Sequence, residues 1–261
     1  MLEGARTPLP LDLSGLKVAI TGGAGGIGRV LADSYVACGA RVFVSDVDEA
    51  GLAECGHPGM RADAGRVADL DAFMTTAIDH LGGLDVLVNN AGIAGPTARV
   101  EDVTPEQLDA TLQIDLASMF HCARLAIPAL RRAGGGSIIN LSSAAGKFGF
   151  PLRSPYAAAK WGVVGFTRSL AIELGTDGIR VNAVLPGLVE GPRIRSVIRN
   201  KAAAAGVSDN EQTDRALGAV SLRCFVSQHD IANMALYLCS QFGATITGQA
   251  ISVDGGMESL T

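Results

Sequence analysis

The stretch KVAITGGAGGIG, residues 17–28, decides the fold of this chain. Residues 17–21 are a short apolar and partly β-branched run, which predicts a β-strand. The glycines that follow predict a tight turn, and the apolar periodicity from Val30 to Cys38 predicts a helix after it. Strand, glycine turn and helix suit the pyrophosphate of a dinucleotide, because glycines let the backbone approach and the helix N-terminus offers unpaired N–H groups.

A carboxylate follows the second predicted strand. Residues 41–45 are again apolar and β-branched, and Asp46 comes directly after them, 18 residues beyond Gly28. That spacing is close to the offset of about 20 residues at which an acidic side chain binds the adenosine ribose of a dinucleotide. An ordinary turn or cap residue is the alternative interpretation of Asp46.

A tyrosine and a lysine stand four residues apart in YAAAK, residues 156–160. Residues at i and i+4 are neighbours on one face of a helix. Ser154 and Pro155 predict an N-cap and a first helical position, which places Tyr156 on the first turn. A tyrosine in water titrates near pH 10, and a nearby ammonium favours tyrosinate, so the pair suits acid–base chemistry. In isolation such a pair is more often an incidental surface contact.

Length and composition favour one soluble α/β domain. The chain has 261 residues, 48% of them hydrophobic, and no linker divides it. The net charge of −5 argues against a nucleic-acid partner, which needs a basic surface. No apolar run reaches the ~18 residues of a membrane span, and residues 1–10 lack the apolar core of a signal peptide. We therefore expect a cytoplasmic protein that binds no membrane.

The cysteines and histidines predict no metal site. The five cysteines are scattered without a C-x-x-C pair, which predicts reduced structural thiols. The four histidines show no spacing typical of metal ligands.

Strands and helices alternate along the chain, which predicts a parallel sheet with right-handed crossovers. The predicted strands are residues 17–21, 41–45, 59–62, 84–89, 137–141, 180–185 and 249–253. The predicted helices include residues 66–81, 119–132 with a kink at Pro128, and 155–174, and a capping box at residues 104–107 opens another. The motifs all fall at the carboxyl ends of strands, where such sheets bind ligands.

Five motifs occur in the order and spacing of the short-chain dehydrogenase/reductase family, which this chain resembles over about residues 14–256. They are TGxxxGxG from Thr21, Asn89-Asn90-Ala91-Gly92, Ser143, Tyr156-x-x-x-Lys160 and Pro186-Gly187. The resemblance implies a Rossmann-type, doubly wound α/β fold with a seven-stranded parallel sheet in the order 3-2-1-4-5-6-7. We expect an N-terminal tail at residues 1–14 and one domain at residues 15–261, with a substrate-binding insert at about residues 188–220.

The resemblance also implies roles for individual residues. Tyr156 would be the general acid/base, Ser143 a donor to the substrate oxygen, and Lys160 the ammonium that favours tyrosinate and binds the nicotinamide ribose. A loop cap is the alternative for Asp63, and an ordinary turn is the alternative for residues 90–92. The implied cofactor contacts are Gly22, Gly26, Ile27, Gly28, Asp46, Val47, Asp63, Ala64, Asn90, Ala91, Gly92, Tyr156, Lys160, Pro186, Gly187 and Val189.

NAD is the predicted cofactor rather than NADP. Asp46 would bind the ribose hydroxyls and repel a 2′-phosphate. Relatives that bind this phosphate tend to carry a basic residue where this chain has Gly25, and Val47 supplies no cation either.

The substrate is predicted only as a secondary alcohol or ketone. The substrate loops of the family follow the fifth and sixth strands, and the candidates there are Phe150, Arg153, Leu188 and Arg193. Arg153, Arg193 or the nearby Arg195 would suit an anionic substrate group, and solvated side chains are the alternative.

Two positions depart from the family pattern. Gly191 stands where the family usually has a threonine, so that contact with the nicotinamide amide is in doubt. Asp115 replaces the catalytic asparagine expected about 41 residues before the tyrosine. An aspartate keeps the main-chain carbonyl of a proton relay, and we expect its carboxylate to accept a neighbouring backbone N–H. Its charge would oppose tyrosinate, which predicts an alkaline optimum for alcohol oxidation.

The leading hypothesis is an NAD-dependent oxidoreductase that forms a homotetramer, as family members commonly do. A catalytically weak nucleotide-binding protein with a regulatory or scaffold role is the rival from another class. A lyase or epimerase with the same fold is a third possibility. The complete set of Ser143, Tyr156 and Lys160 disfavours a purely binding role, which does not require it.

Overall fold

The sheet of this protein contains seven parallel strands in the computed structural model, which describes residues 11–260. The strands are β1 (Lys17–Thr21), β2 (Arg41–Asp46), β3 (Gly59–Arg61), β4 (Val86–Asn89), β5 (Gly136–Leu141), β6 (Ile179–Pro186) and β7 (Ala250–Val253). Their order across the sheet is β3-β2-β1-β4-β5-β6-β7, which confirms the predicted fold class and topology. The predicted strand bounds lie within two residues of these.

Nine α-helices connect or flank the strands within residues 11–260. They are α1 (Gly26–Ala37), α2 (Glu49–Glu54), α3 (Val67–Leu81), α4 (Pro105–Leu112), α5 (Ser118–Arg132), α6 (Ser154–Leu174), α7 (Pro192–Ala205), α8 (Asp209–Gly218) and α9 (Gln228–Cys239). The capping box predicted at the start of α4 is confirmed: Thr104 Oγ1 accepts the Gln107 N–H, and Gln107 Oε1 accepts the Thr104 N–H. Helix α5 continues through Pro128.

The predicted N-cap of α6 is wrong by one residue. Ser154 is already helical, because the carbonyl of Arg153 accepts the first helical hydrogen bond, from the Ala157 N–H at 2.9 Å. Arg153 is therefore the N-cap, and its side chain makes no capping bond. Tyr156 still lies on the first turn, as predicted.

Two apolar layers hold the helices against the sheet. Side chains of successive strand residues point to opposite faces, so Ala19 packs with α3, α5 and α6 while Val18 and Ile20 pack with α1 and α9. All three side chains are fully buried. Burial of each large aliphatic side chain stabilises the fold by roughly 1.5–3 kcal/mol.

The ends of the predicted domain differ slightly from the expected bounds. Leu13 is buried and its N–H donates to the Cys38 carbonyl, so the packed chain begins before residue 15. Residues 1–10, most of the predicted tail, lie outside the described residues. The predicted insert contains α7 and α8, which pack on a small apolar cluster around Leu188, Val220 and Met257.

In the described part of the chain, no helix combines the length and apolar character needed to cross a bilayer. Among the same residues, His, Cys, Asp and Glu side chains do not gather in groups of three that would hold a metal ion. The five cysteines are free thiols.

Candidate active site

One cavity of about 550 Å³ lies outside the carboxyl ends of the strands, where open parallel sheets bind their ligands. Its volume is within the usual range of ligand pockets, about 300–1,000 Å³. Every predicted cofactor, catalytic and substrate residue lines it except Asp115, which is buried behind the wall. The fold thus brings together residues that are far apart in the sequence, from Gly22 to Arg193.

The glycine turn after β1 is braced from the end of β4. Asn90 Nδ2 donates to the carbonyl oxygens of Thr21 (3.0 Å) and Gly22 (2.8 Å), and Thr21 Oγ1 accepts the Asn90 N–H (3.0 Å). Gly28 packs so closely that a Cβ there would lie 1.9 Å from the Gly22 carbonyl oxygen. Helix α1 begins inside this turn, so its unpaired N-terminal N–H groups lie at the cavity. Such a turn suits a phosphate group.

Two carboxylates line the end of the cavity beside β2 and β3. Asp46 Oδ2 accepts the Ala24 N–H at 3.0 Å, which holds the carboxylate at the glycine turn. Asp63 Oδ1 accepts the Gly65 N–H at 2.8 Å, which is the hydrogen bond of a loop cap. Asp63 also lines the cavity, so the two interpretations of this residue are compatible.

Lys160 is 4% exposed on α6, and its ammonium is held by fixed acceptors. Its Nζ donates to the Leu141 carbonyl at 3.1 Å, lies 4.0 Å from Asp115 Oδ1, and lies 5.5 Å from the centre of the Tyr156 ring. A buried charge is costly unless it is paired and hydrogen-bonded. These contacts place a cation close to the phenol at the cavity wall.

The end of β5 brings a hydroxyl to the same cavity. Ser143 Oγ accepts the Ala145 N–H at 3.1 Å, which leaves its own O–H to donate. Its neighbour Ser142 donates from Oγ to the Lys160 carbonyl at 2.8 Å. This bond ties α6 to β5, so the serine, the tyrosine and the lysine share one rigid support.

Asp115 enters the interior on a π-helical turn, Gln113–Ala117, between α4 and α5. Its Oδ1 accepts the Ile93 N–H at 2.7 Å, which confirms the expectation that the carboxylate holds a neighbouring backbone. Its Oδ2 is buried without a hydrogen-bond partner among residues 11–260. Burial raises the pKa of the Asp115 carboxyl, against the opposing influence of the Lys160 ammonium. Such π turns occur often at functional sites.

Arg153 and Arg193, the two of the three candidate arginines that line the cavity, differ in exposure. Arg153 is 2% exposed, so the solvated alternative is wrong for this residue. Its Nε and Nη1 atoms are buried in the wall of the cavity. The predicted contact between these atoms and the substrate would therefore require the surrounding side chains to move. Arg193 on α7 is exposed and donates from Nη2 to the Gly92 carbonyl at 3.0 Å. Arg193 is therefore the arginine that a substrate can reach directly.

Gly191 is explained by its backbone. It adopts φ +151°, a region that residues with a Cβ rarely enter, and it is the N-cap of α7. A threonine at this position would be strained. The backbone conformation therefore explains why this chain has glycine where the family usually has threonine.

Several residues of the cavity wall carry no signal in the sequence. Gln228, the first residue of α9, donates from Nε2 to the Glu190 carbonyl at 3.4 Å and lines the cavity. Only packing of α9 against the insert brings it there. The structure shows a capping box of Ser227 and Asp230 at the start of α9, a local feature that marks a helix start but does not indicate that Gln228 lines the cavity. The other lining residues without a prediction include Ile93, Ile114, Leu141, Ala144, Ile194, Val197 and Leu260.

Comparisons with known proteins agree on one family. Residues 22–258 match the family model described as enoyl-(acyl carrier protein) reductase. A D-β-hydroxybutyrate dehydrogenase of Rhizobium meliloti is 34% identical over 252 residues, 91% of this chain and 96% of the relative. A levodione reductase structure aligns with a TM-score of 0.87 at 28% identity, covering 93% of this chain and 97% of its own. A variant of actinorhodin polyketide ketoreductase solved with NADPH aligns with a TM-score of 0.87 at 34% identity, covering 94% and 98%.

Proposed function

The chain belongs to the short-chain dehydrogenase/reductase family, and on that basis we propose that it is an NAD(H)-dependent enzyme that interconverts a secondary alcohol and its ketone. The observation that carries this proposal is the buried Lys160 ammonium, 5.5 Å from the centre of the Tyr156 ring at the wall of the cavity. The relatives support it, because they are named as a dehydrogenase of a hydroxy acid and as reductases.

The residues at the cavity suit a nicotinamide dinucleotide. The tight contact of Gly28 with the glycine turn leaves the helix N-terminus open to a pyrophosphate. We assign the pyrophosphate to the turn from Gly22 to Gly28, the adenosine ribose to Asp46, and the nicotinamide ribose to Lys160. When bound there, the nicotinamide supplies or accepts the hydride.

The protein's own residues handle the proton. In alcohol oxidation, Tyr156 as tyrosinate takes the proton of the substrate hydroxyl, while the Ser143 O–H donates to the substrate oxygen. That donation stabilises the negative charge that develops on the oxygen as the carbonyl forms. In ketone reduction Tyr156 returns the proton. Lys160 favours tyrosinate throughout, because an opposite charge nearby favours the ionised form.

A screen of alcohols and ketones, read at the NADH absorbance, tests this proposal. Turnover of at least one secondary alcohol or ketone is the expected result. Tight NADH binding without turnover of any compound would favour the regulatory or scaffold role. A product formed without net change in NADH would favour the lyase or epimerase.

We expect the enzyme to prefer NAD(H) over NADP(H), and Asp46→Asn to reduce the preference by about tenfold or more. The carboxylates Asp46 and Asp63 line the adenosine end, and the lining cations Arg153, Lys160 and Arg193 belong to α6, its N-cap and α7. Asparagine removes the charge that repels a 2′-phosphate but keeps an oxygen for the glycine turn. Calorimetric titration with NADH and NADPH measures the preference.

The matched control for this titration is Glu49→Gln. Glu49 is an exposed carboxylate three residues away, paired with Arg61 at 3.3 Å. It should leave the preference unchanged. Wild-type protein that binds NADPH as tightly as NADH would contradict the assignment of NAD.

We expect Asp115→Asn to stay active and to move the acidic limb of the oxidation profile to lower pH. In the alkaline range Asp115 is an anion 4.0 Å from Lys160 Nζ, and an anion there disfavours tyrosinate. Asparagine keeps an oxygen for the Ile93 N–H and carries no charge, so tyrosinate forms at a lower pH. The pH dependence of kcat/KM measures the shift.

Asp109→Asn, an exposed aspartate on α4, is the control for charge alone and should not move the limb. A limb that moves to higher pH in Asp115→Asn would show that the carboxylate assists tyrosinate. An inactive wild-type protein rescued by Asp115→Asn would favour the regulatory role.

The homotetramer and the cytoplasmic location remain predictions. Exposed aromatic side chains on the long helices support an interface: Phe120 on α5 is 49% exposed and Trp161 on α6 is 51% exposed. Exposed apolar side chains grouped on one surface are typical of oligomer contacts.

A further inference from the structure

Arg153 is a buried cation with an incomplete set of partners. Its Nη2 donates to the Ala94 carbonyl, while Nε and Nη1 have no hydrogen-bond partner among residues 11–260. Within the same residues, Arg153 makes no ion pair at or below 4.0 Å. A guanidinium stays protonated, and its burial without full compensation costs free energy. The buried charge of Arg153 therefore destabilises the fold unless another interaction compensates for it.

The guanidinium lies against the proposed acid/base. Its Cζ is 5.0 Å from the centre of the Tyr156 ring, slightly nearer than the 5.5 Å of Lys160 Nζ. The centre of the Phe150 ring lies 5.1 Å from Cζ, and Lys201 Nζ lies 4.4 Å from the centre of that ring. Burial lowers the pKa of Arg153, and Tyr156 is the neighbour that most favours its charge.

The buried Nε and Nη1 atoms of Arg153 do not contact a ligand in the cavity directly. Because Nε and Nη1 are sealed inside the wall, the charge of Arg153 acts on the cavity through its field. Inside a protein such a field is screened much less than in water.

Resting on the proposed function, we propose that Arg153 is a second cation, besides Lys160, that stabilises Tyr156 in the tyrosinate form that accepts the substrate proton. Arg153 is then a positioning residue, since it acts through Tyr156 and does not touch the substrate. Its charge offsets the carboxylate that this chain carries at Asp115.

The other charged or polar groups near Tyr156 come from several elements. Lys160 on α6 and Arg193 on α7 add positive charge. Lys201 lies behind Phe150, and burial together with the Arg153 charge lowers its pKa to about 8, so it loses its charge in the alkaline range. Asp115 on the π turn is the opposing carboxylate, 4.0 Å from Lys160 Nζ. The Ser143 hydroxyl at the end of β5 is neutral.

Arg153→Met tests the proposal, because methionine removes the charge and brings no new polar group into the buried site. We expect the acidic limb of the oxidation profile to move to higher pH by about one to three units, with kcat on the alkaline plateau largely kept. Arg153→Lys keeps the charge as long as the buried ammonium stays protonated, so its limb should lie closer to wild type than that of Arg153→Met. Arg153→Gln, which keeps a donor for the Ala94 carbonyl, replaces the methionine variant if that variant does not fold.

The control is Arg195→Gln, which removes a charge from an exposed arginine paired with Glu190 at 3.3 Å. It should not move the limb. The double variant Arg153→Met with Asp115→Asn should return the limb toward wild type, because the two single changes act in opposite directions.

A spectroscopic titration separates this proposal from the proposed function. The chain has three tyrosines, so subtracting the tyrosinate absorbance of Tyr156→Phe isolates Tyr156. Burial raises the pKa of Tyr35 well above its usual value, so that phenol titrates later. We expect Tyr156 to ionise at higher pH in Arg153→Met even if no substrate is found. An unchanged titration, or a loss of kcat that is uniform across pH, would assign Arg153 a structural role and overturn the proposal.

Discussion

Replacement of Tyr156 by phenylalanine should lower kcat for alcohol oxidation by roughly 10²- to 10⁴-fold, the range that a positioned acid/base supplies. The change removes only the hydroxyl, and the ring keeps its edge contact with Phe150, at 6.5 Å between centres. We therefore expect NADH binding close to wild type by calorimetry. A variant that keeps more than about a tenth of kcat would mean that another group moves the proton.

Two further variants help to explain a loss of kcat in Tyr156→Phe. Lys160→Ala should weaken both turnover and NADH binding, because Lys160 is assigned both the ammonium beside the phenol and the ribose contact. Tyr237→Phe on α9 makes the same chemical change away from the cavity and should leave kcat unchanged. Equal loss in the two phenylalanine variants would point to general destabilisation.

Gly28→Ala should destabilise the fold by about 3 kcal/mol or more and weaken NADH binding at least tenfold. The added Cβ would lie 1.9 Å from the Gly22 carbonyl oxygen and 2.6 Å from Asn90 Nδ2, so the glycine turn and its brace would have to move apart. Helix propensity acts in the other direction, since alanine is favoured over glycine inside a helix by about 1 kcal/mol. A loss can therefore come only from the steric contact.

Thermal unfolding and calorimetry measure the two effects of Gly28→Ala. Loss of about 3 kcal/mol corresponds to a fall in Tm of roughly 6–12 °C for a domain of this size. Gly25→Ala is the matched control for stability, because Gly25 has extended backbone and a Cβ there meets no atom within 4 Å. If Gly28→Ala unfolds and binds NADH like wild type, the close contact between Gly28 and the Gly22 carbonyl is not what keeps the glycine turn in place.

Local signals explain why so much of the fold was predicted. The strands are short apolar runs bounded by glycine, proline and aspartate, so their positions follow from the chain itself. The capping box at Thr104 and the Tyr156–Lys160 spacing are equally local, because both depend on neighbours within one helical turn. The alternation of strand and helix then leaves few topologies, since crossovers are right-handed.

Helix starts and close packing followed less directly from the sequence. Ser154 and Pro155 have the residue types of an N-cap and a first position, yet the helix begins one residue earlier because the Arg153 carbonyl accepts its first bond. In the sequence Gly191 is only a departure from the family pattern, and its backbone conformation in the structure supplies the reason.

By itself the sequence determined the family, the strand order and the edge of the sheet at which the candidate site lies, because motifs of fixed spacing follow the strand ends. It also predicted that the Asp115 carboxylate accepts a neighbouring backbone N–H, and the structure identifies that donor as Ile93. Only the tertiary structure decided the charge balance around Tyr156. The sequence offers Arg153 as a substrate contact or a solvated side chain, and packing instead buries it beside the phenol. Burial and the distances between charges on different elements depend on the whole fold, and they set how strongly each charge acts.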